Sequence, residues 1–182
     1  NTGIEGRLPW EKFVDAYAED FAFGKKIAQQ YNLDLLFGVE EGVGQGKEIL
    51  CYGILPAFLY AHPELRKGGL QQWSASVRAA GGICLQAHPF RHREYIPKPG
   101  LLELACIDGI EAYNACNDFA DNFSALEFAK ENPHMIFVSG ADAHAPDKVC
   151  CAGIETRQRI ADEAELAQVL RQGNYRMIME EL

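Results

Sequence analysis

The chain has 182 residues, of which 48% are hydrophobic and 24% charged, with a formal charge of −9. That is enough for one domain with a real core, and too mixed in composition for a disordered or fibrous chain. The negative excess argues against nonspecific nucleic-acid binding, which draws its free energy from lysine and arginine displacing counterions; a small anionic substrate stays open, because a metal or an arginine supplies local positive charge.

Apolar residues Phe13, Tyr17, Phe21 and Ala28 recur near helical spacing, which predicts a helix from about Trp10 to Tyr31, and Leu33 to Glu40 follows as a strand. The Gly-rich stretch Gly42–Gly46 reads as a turn before a second strand, Glu48 to Ile54. Next come a helix with Leu70, Trp73, Val77 and Ala80 on one face, closed by Gly81-Gly82, and a strand from Ile83 to Ala87. A strand at Gly109–Tyr113, a helix from about Asp118 to Glu131 bearing Phe119, Phe123 and Leu126, and a strand at Met135–Ser139 continue the alternation. Gly153–Thr156 reads as a short strand, Asp162 to Glu165 as a capping-box helix start, Gly173 as that helix's end and Tyr175–Met179 as a last strand.

The alternation predicts one domain over residues 1–182, with a largely parallel sheet covered by helices, either doubly wound or closed as a TIM-like barrel. No apolar run is long enough to span a membrane, and Asn1-Thr2-Gly3 lacks the features of a signal peptide. Cys51, Cys84, Cys106, Cys116, Cys150 and Cys151 include no C-x-x-C pair, so they read mostly as buried thiols of a reduced, cytoplasmic protein.

Polar residues fall at the ends of these strands: Glu40, His88, Asn114, and Asp142 with His144. In a parallel α/β architecture those ends open on one face, where such folds keep their sites. Two imidazoles and two carboxylates suit zinc, manganese or iron, and Asp142 and His144 would point to one side of an extended backbone. Taken singly each has a plainer role: Glu40 as a cap, His88 before Pro89 as a turn residue. His62 and His134 sit beside prolines in polar connections and read as surface residues.

Four segments carry a family resemblance. Gly81 to Arg91, with its Gly-Gly, apolar run and Ala87-His88-Pro89, resembles a segment of the PHP (polymerase and histidinol phosphatase) family; Asp108 to Asn114 is similar to the family's D-G-I-E-x-Y-N strand, Ser139 to His144 to its G-S-D-A-H strand, and Leu36 to Glu40 to its G-x-E strand. They occur in the family's order over nearly the whole chain. The resemblance implies a distorted (β/α)7 TIM-like barrel and a metal-dependent phosphoesterase using metal-activated water. Glu40, His88, Asp142 and His144 would be metal ligands, Arg91 would hold a phosphate oxygen, and His92 and Asn114 would lie toward the substrate.

The family's opening H-x-H and T-D-H motifs do not occur, and residues 1–6 resemble the stretch just past the second motif, so the barrel's N-terminal strands are expected to be absent from this chain. Ile4-Glu5-Gly6-Arg7 also spells a protease-tag sequence, which the continuation into the family pattern disfavours. Leu50 stands where many members carry a histidine ligand. The complete protein is therefore expected to be a hydrolase, and this chain alone to bind metal poorly and turn over little. The alternative is a non-catalytic PHP-like scaffold with an incomplete site; a hydrolase of carbon–nitrogen bonds fits the A-H-P and G-A-D-A-H contexts less well. Unpaired sheet edges would invite a homodimer.

Overall fold

A computed structural model describes residues 8–145 and 151–179. Its elements, in chain order, are α1 (Trp10–Gln30), β1 (Gly38–Gly44), β2 (Lys47–Tyr52), α2 (Pro56–Ala61), α3 (Leu70–Ala79), β3 (Ile83–Gln86), β4 (Gly109–Asn114), α4 (Phe119–Glu131), β5 (Ile136–Gly140), β6 (Gly153–Thr156), α5 (Glu163–Gln172) and β7 (Tyr175–Ile178). The tag-like stretch Ile4–Arg7, the family-like residues 1–6 and Cys150 lie outside the described residues.

Five strands form one mixed sheet in the order β1-β2-β3-β4-β5. β1 pairs antiparallel with β2 and β2 with β3, whereas β3, β4 and β5 run parallel. Four of the five strands point the same way, and the expectation of a largely parallel sheet fails only at β2, which its short connection to β1 reverses. Gln45 and Gly46 join β1 to β2 with φ of 56° and 70°, and a two-residue loop with both angles positive makes a hairpin, whereas parallel strands need a crossover of a dozen residues or more.

No closed barrel forms among the described residues. β6 pairs only with β7, antiparallel. The pair sits beside β5 through Tyr175 Oη, which donates to the Phe137 carbonyl at 2.8 Å, and Ser139 Oγ, which donates to the Ile178 carbonyl at 2.8 Å. Side-chain bonds thus replace the backbone ladder that closure requires.

The sheet separates two cores. On one face Val39, Ile49, Cys51, Cys84 and Ile110 pack with Val14 of α1 and Trp73 and Val77 of α3; burying such side chains stabilises the fold by roughly 1.5–3 kcal/mol each. On the other, Ile83, Leu85 and Val138 pack with Ala167 and Leu170 of α5, joined by the partly buried Leu50 and Tyr52. Alternation along β2 and β3 therefore assigns Glu48, Leu50 and Tyr52 to the second face.

Candidate metal centre

The central imidazole belongs to His88, two residues beyond β3. Continuing the pleat would leave it on the face of Cys84 and Gln86, but its backbone is left-handed, with φ of 28°. That conformation is uncommon for a residue with a side chain and breaks the alternation. Two contacts hold the turn: the His88 amide donates to Glu111 Oε2 at 3.1 Å, and the Arg91 amide donates to the His88 carbonyl at 3.1 Å.

His88 Nε2 consequently lies 3.3 Å from Glu48 Oε2 and 3.7 Å from Glu40 Oε1. One ligand atom from each of Glu40, Glu48 and His88 falls within 4.8 Å of the other two. In the β1/β2 register Glu40 faces Leu50, one pleat period from Glu48, so the two carboxylates are diagonal neighbours. Because β2 is antiparallel, its start lies beside the end of β3, where the Ala87 amide donates to the Glu48 carbonyl at 3.1 Å.

The electrostatics match this crowding. Burial opposes protonation of His88, but Glu40 and Glu48 outweigh it and raise the imidazole to about 9. The same contact holds Glu48 below its ordinary range. Two carboxylates and an imidazole converging on one point suit a borderline divalent ion, which would replace the proton His88 otherwise carries. Glu48 is the candidate ligand that strand ends alone do not reveal; its signal in the sequence is an acidic residue one pleat period before Leu50.

The other residues singled out from sequence are placed differently. Asp142, also left-handed with φ of 48°, is paired with Arg91, whose Nη2 lies 2.6 Å from its Oδ2. Arg91 is buried, and its Nε donates to Asn117 Oδ1 at 2.6 Å. His144 turns to solvent with 87% of its side chain exposed, its Nδ1 3.3 Å from Asp142 Oδ1 and 2.9 Å from the Asp142 carbonyl. Asp142 and His144 are thus adjacent but not gathered with Glu40, Glu48 and His88 around one point.

Asn114 is fully buried. Its Nδ2 donates to Glu111 Oε2 at 2.8 Å and its Oδ1 accepts from the Cys116 amide at 2.8 Å, so it ties β4 to the turn after it. His92 is largely exposed, but Asp121 of α4 anchors it twice, accepting from its amide at 3.2 Å and meeting Nδ1 at 2.7 Å. Glu111 backs the whole site. Burial raises its carboxyl, while Asn114 and His88 pull it back down.

Residues 119–175, which include Asp142 and His144, match the PHP-associated family model. No curated protein matches the sequence significantly. Among solved structures, the fold resembles that of a candidate metal-dependent phosphoesterase from Bifidobacterium adolescentis, with a TM-score of 0.51 and 14% identity over 80% of this chain and 79% of that one. No helix among the described residues is long and apolar enough to cross a membrane. The PHP-associated match is confined to residues 119–175 and the solved structure shares the fold alone; both agree with the PHP resemblance of the strand-end motifs.

Proposed function

We propose, against the expectation of weak binding and little turnover, which did not include Glu48, that this chain is a metal-dependent phosphoesterase domain of the PHP type, holding a divalent ion between Glu40, Glu48 and His88 and acting on a small phosphorylated substrate. The observation that carries it is the convergence of those three ligand atoms within 4.8 Å. A bound zinc, manganese or iron ion supplies Lewis-acid stabilisation of phosphoryl oxygens and an activated water. The chain's own residues do the rest: Glu111 fixes the turn that aims His88, and Arg91, with a forked donor set suited to phosphate, stands beside Asp142 at the same strand ends. The free thiols at Cys51, Cys84, Cys106, Cys116 and Cys151 fit a reducing, cytoplasmic setting.

A second reading, a PHP-like scaffold that binds an ion without catalysis, draws on the Arg91–Asp142 pair and the outward His144, which leave the donors for a further ion unassembled. One experiment separates the two: manganese stoichiometry and hydrolysis of p-nitrophenyl phosphate, measured for the chain and for His88→Ala. Binding and turnover that both depend on His88 support the phosphoesterase. Binding without turnover selects the scaffold, and no His88-dependent binding overturns both.

A further inference from the structure

We propose that Cys51 and Cys84 form a dithiol/disulfide couple that, when oxidised by a small peroxide, staples β2 to β3 on the face of the sheet opposite the carboxylates. The two residues are register partners on antiparallel strands, their Sγ atoms 3.9 Å apart. They occupy a non-hydrogen-bonded position. The Cys84 amide donates away from β2, to Asp108 Oδ2 at 2.8 Å, and its carbonyl accepts from the Asp108 amide at 2.7 Å. At such positions Cα atoms stand about 4.5 Å apart, inside the span of roughly 4.4–6.8 Å that a disulfide bridges. The sulfurs need only turn toward each other, with no shift of strand register.

The chemistry balances with hydrogen peroxide as the two-electron oxidant. One thiolate attacks a peroxide oxygen, giving a sulfenic acid and hydroxide; the second thiol attacks the sulfenic sulfur, and the S–S bond forms as water leaves. Both sulfurs are oxidised, both peroxide oxygens end in water, and the thiol protons go with them. Access sets the rate. Both cysteines are fully buried, and the neighbouring Cys84 thiol together with burial pushes Cys51 well above its ordinary value, so thiolate is scarce in the closed fold. Oxidation therefore proceeds through partial separation of β2 from β3, and the disulfide then prevents that separation.

The test treats the full, reduced chain with hydrogen peroxide, blocks remaining thiols with an alkylating agent, and maps disulfides by mass spectrometry. The expected product is a linkage between the Cys51 and Cys84 peptides, reversible by dithiothreitol, absent in Cys51→Ala and in Cys84→Val, and accompanied by a higher thermal midpoint and slower amide exchange in β2. Both cysteines remaining reduced while the half-buried Cys116 or Cys151 oxidises, pairing of either with another cysteine, or a bond that forms only after urea has unfolded the chain would each overturn the couple. None of these outcomes depends on the phosphoesterase reading.

Discussion

Glu48 Oε2 stands 3.3 Å from His88 Nε2, joining the start of one strand to the loop that leaves its antiparallel neighbour. The contact links protonation to metal binding and to stability. Because His88 is raised from 6.5 to about 9, its pairing stabilises the fold fully below 6.5 and that contribution is lost as pH climbs through about 9. Glu48, held low by the same contact, contributes above 4.5 and loses that contribution as pH falls.

Metal binding should run the other way. An ion must displace the His88 proton, so between neutrality and the raised pKa the apparent manganese affinity is expected to increase about tenfold per pH unit, with one proton released per ion. Calorimetry in buffers of different ionisation enthalpy measures both quantities. A flat affinity profile over that range would show that His88 is not a ligand.

Glu48→Gln keeps the shape and removes the charge. Metal affinity is expected to fall by at least ~10-fold, the lower end of what loss of an outer-shell partner alone costs. The converse change is Leu50→His. Leu50 faces Glu40 directly in the strand register, so an imidazole there adds a donor to the same face and should tighten binding. Equilibrium dialysis of both variants decides it; unchanged affinity in Glu48→Gln would remove that residue from the site.

Much of this fold is legible in the sequence, and the exceptions have physical causes. Asp162 caps α5, its carboxylate accepting from the Glu165 amide at 2.8 Å, and Gly173 ends that helix with φ of 68°, as their residue types predict. The apolar spacing of α4 misleads. Phe119 and Phe123 stack on each other at the surface, while Asp121 and Asn122 turn inward. The turns after β3 and β4 need acceptors and donors that only a polar helix face supplies: Asn122 Oδ1 accepts from the Asn114 amide at 2.9 Å, as Asp121 does from His92. Glu40 and His88 stand out in the sequence, His88 just past a strand end and Glu40 at the expected end of a strand from Leu33, which the structure instead begins at Gly38 and carries on to Gly44. Glu48 does not, because an antiparallel strand brings its beginning, rather than its end, to that edge.

Gly140→Ala tests the support beneath the site. A Cβ there would lie 2.1 Å from Glu111 Oε1, and Glu111 cannot retreat without releasing the His88 amide and the Asn114 side chain. Overpacking of this kind costs roughly 1–3 kcal/mol. Denaturant unfolding should show that loss, and metal affinity should fall with it although no ligand has changed. A destabilised variant with unaltered affinity would mean that Glu111 does not position His88.

Arg91 and Asp142 meet at 2.6 Å in a contact largely shielded from water. Removing one partner of a buried pair strands the other charge, at a cost of roughly 3–5 kcal/mol, so Arg91→Ala should be less stable than Arg91→Ala/Asp142→Asn. Ligand binding reads a different property of the same pair. If the guanidinium also receives the phosphoryl group, it must share its donors between that anion and Asp142, and each single change has a distinct signature. Arg91→Ala should weaken binding of inorganic phosphate while leaving the Glu40–Glu48–His88 ion in place. Asp142→Asn should free the arginine and strengthen phosphate binding. The measurement is a phosphate titration of manganese-loaded protein for both variants. Equal phosphate affinity in the two would confine Arg91 to holding the loop, through Asn117 and Asp142, and another cation would have to meet the substrate.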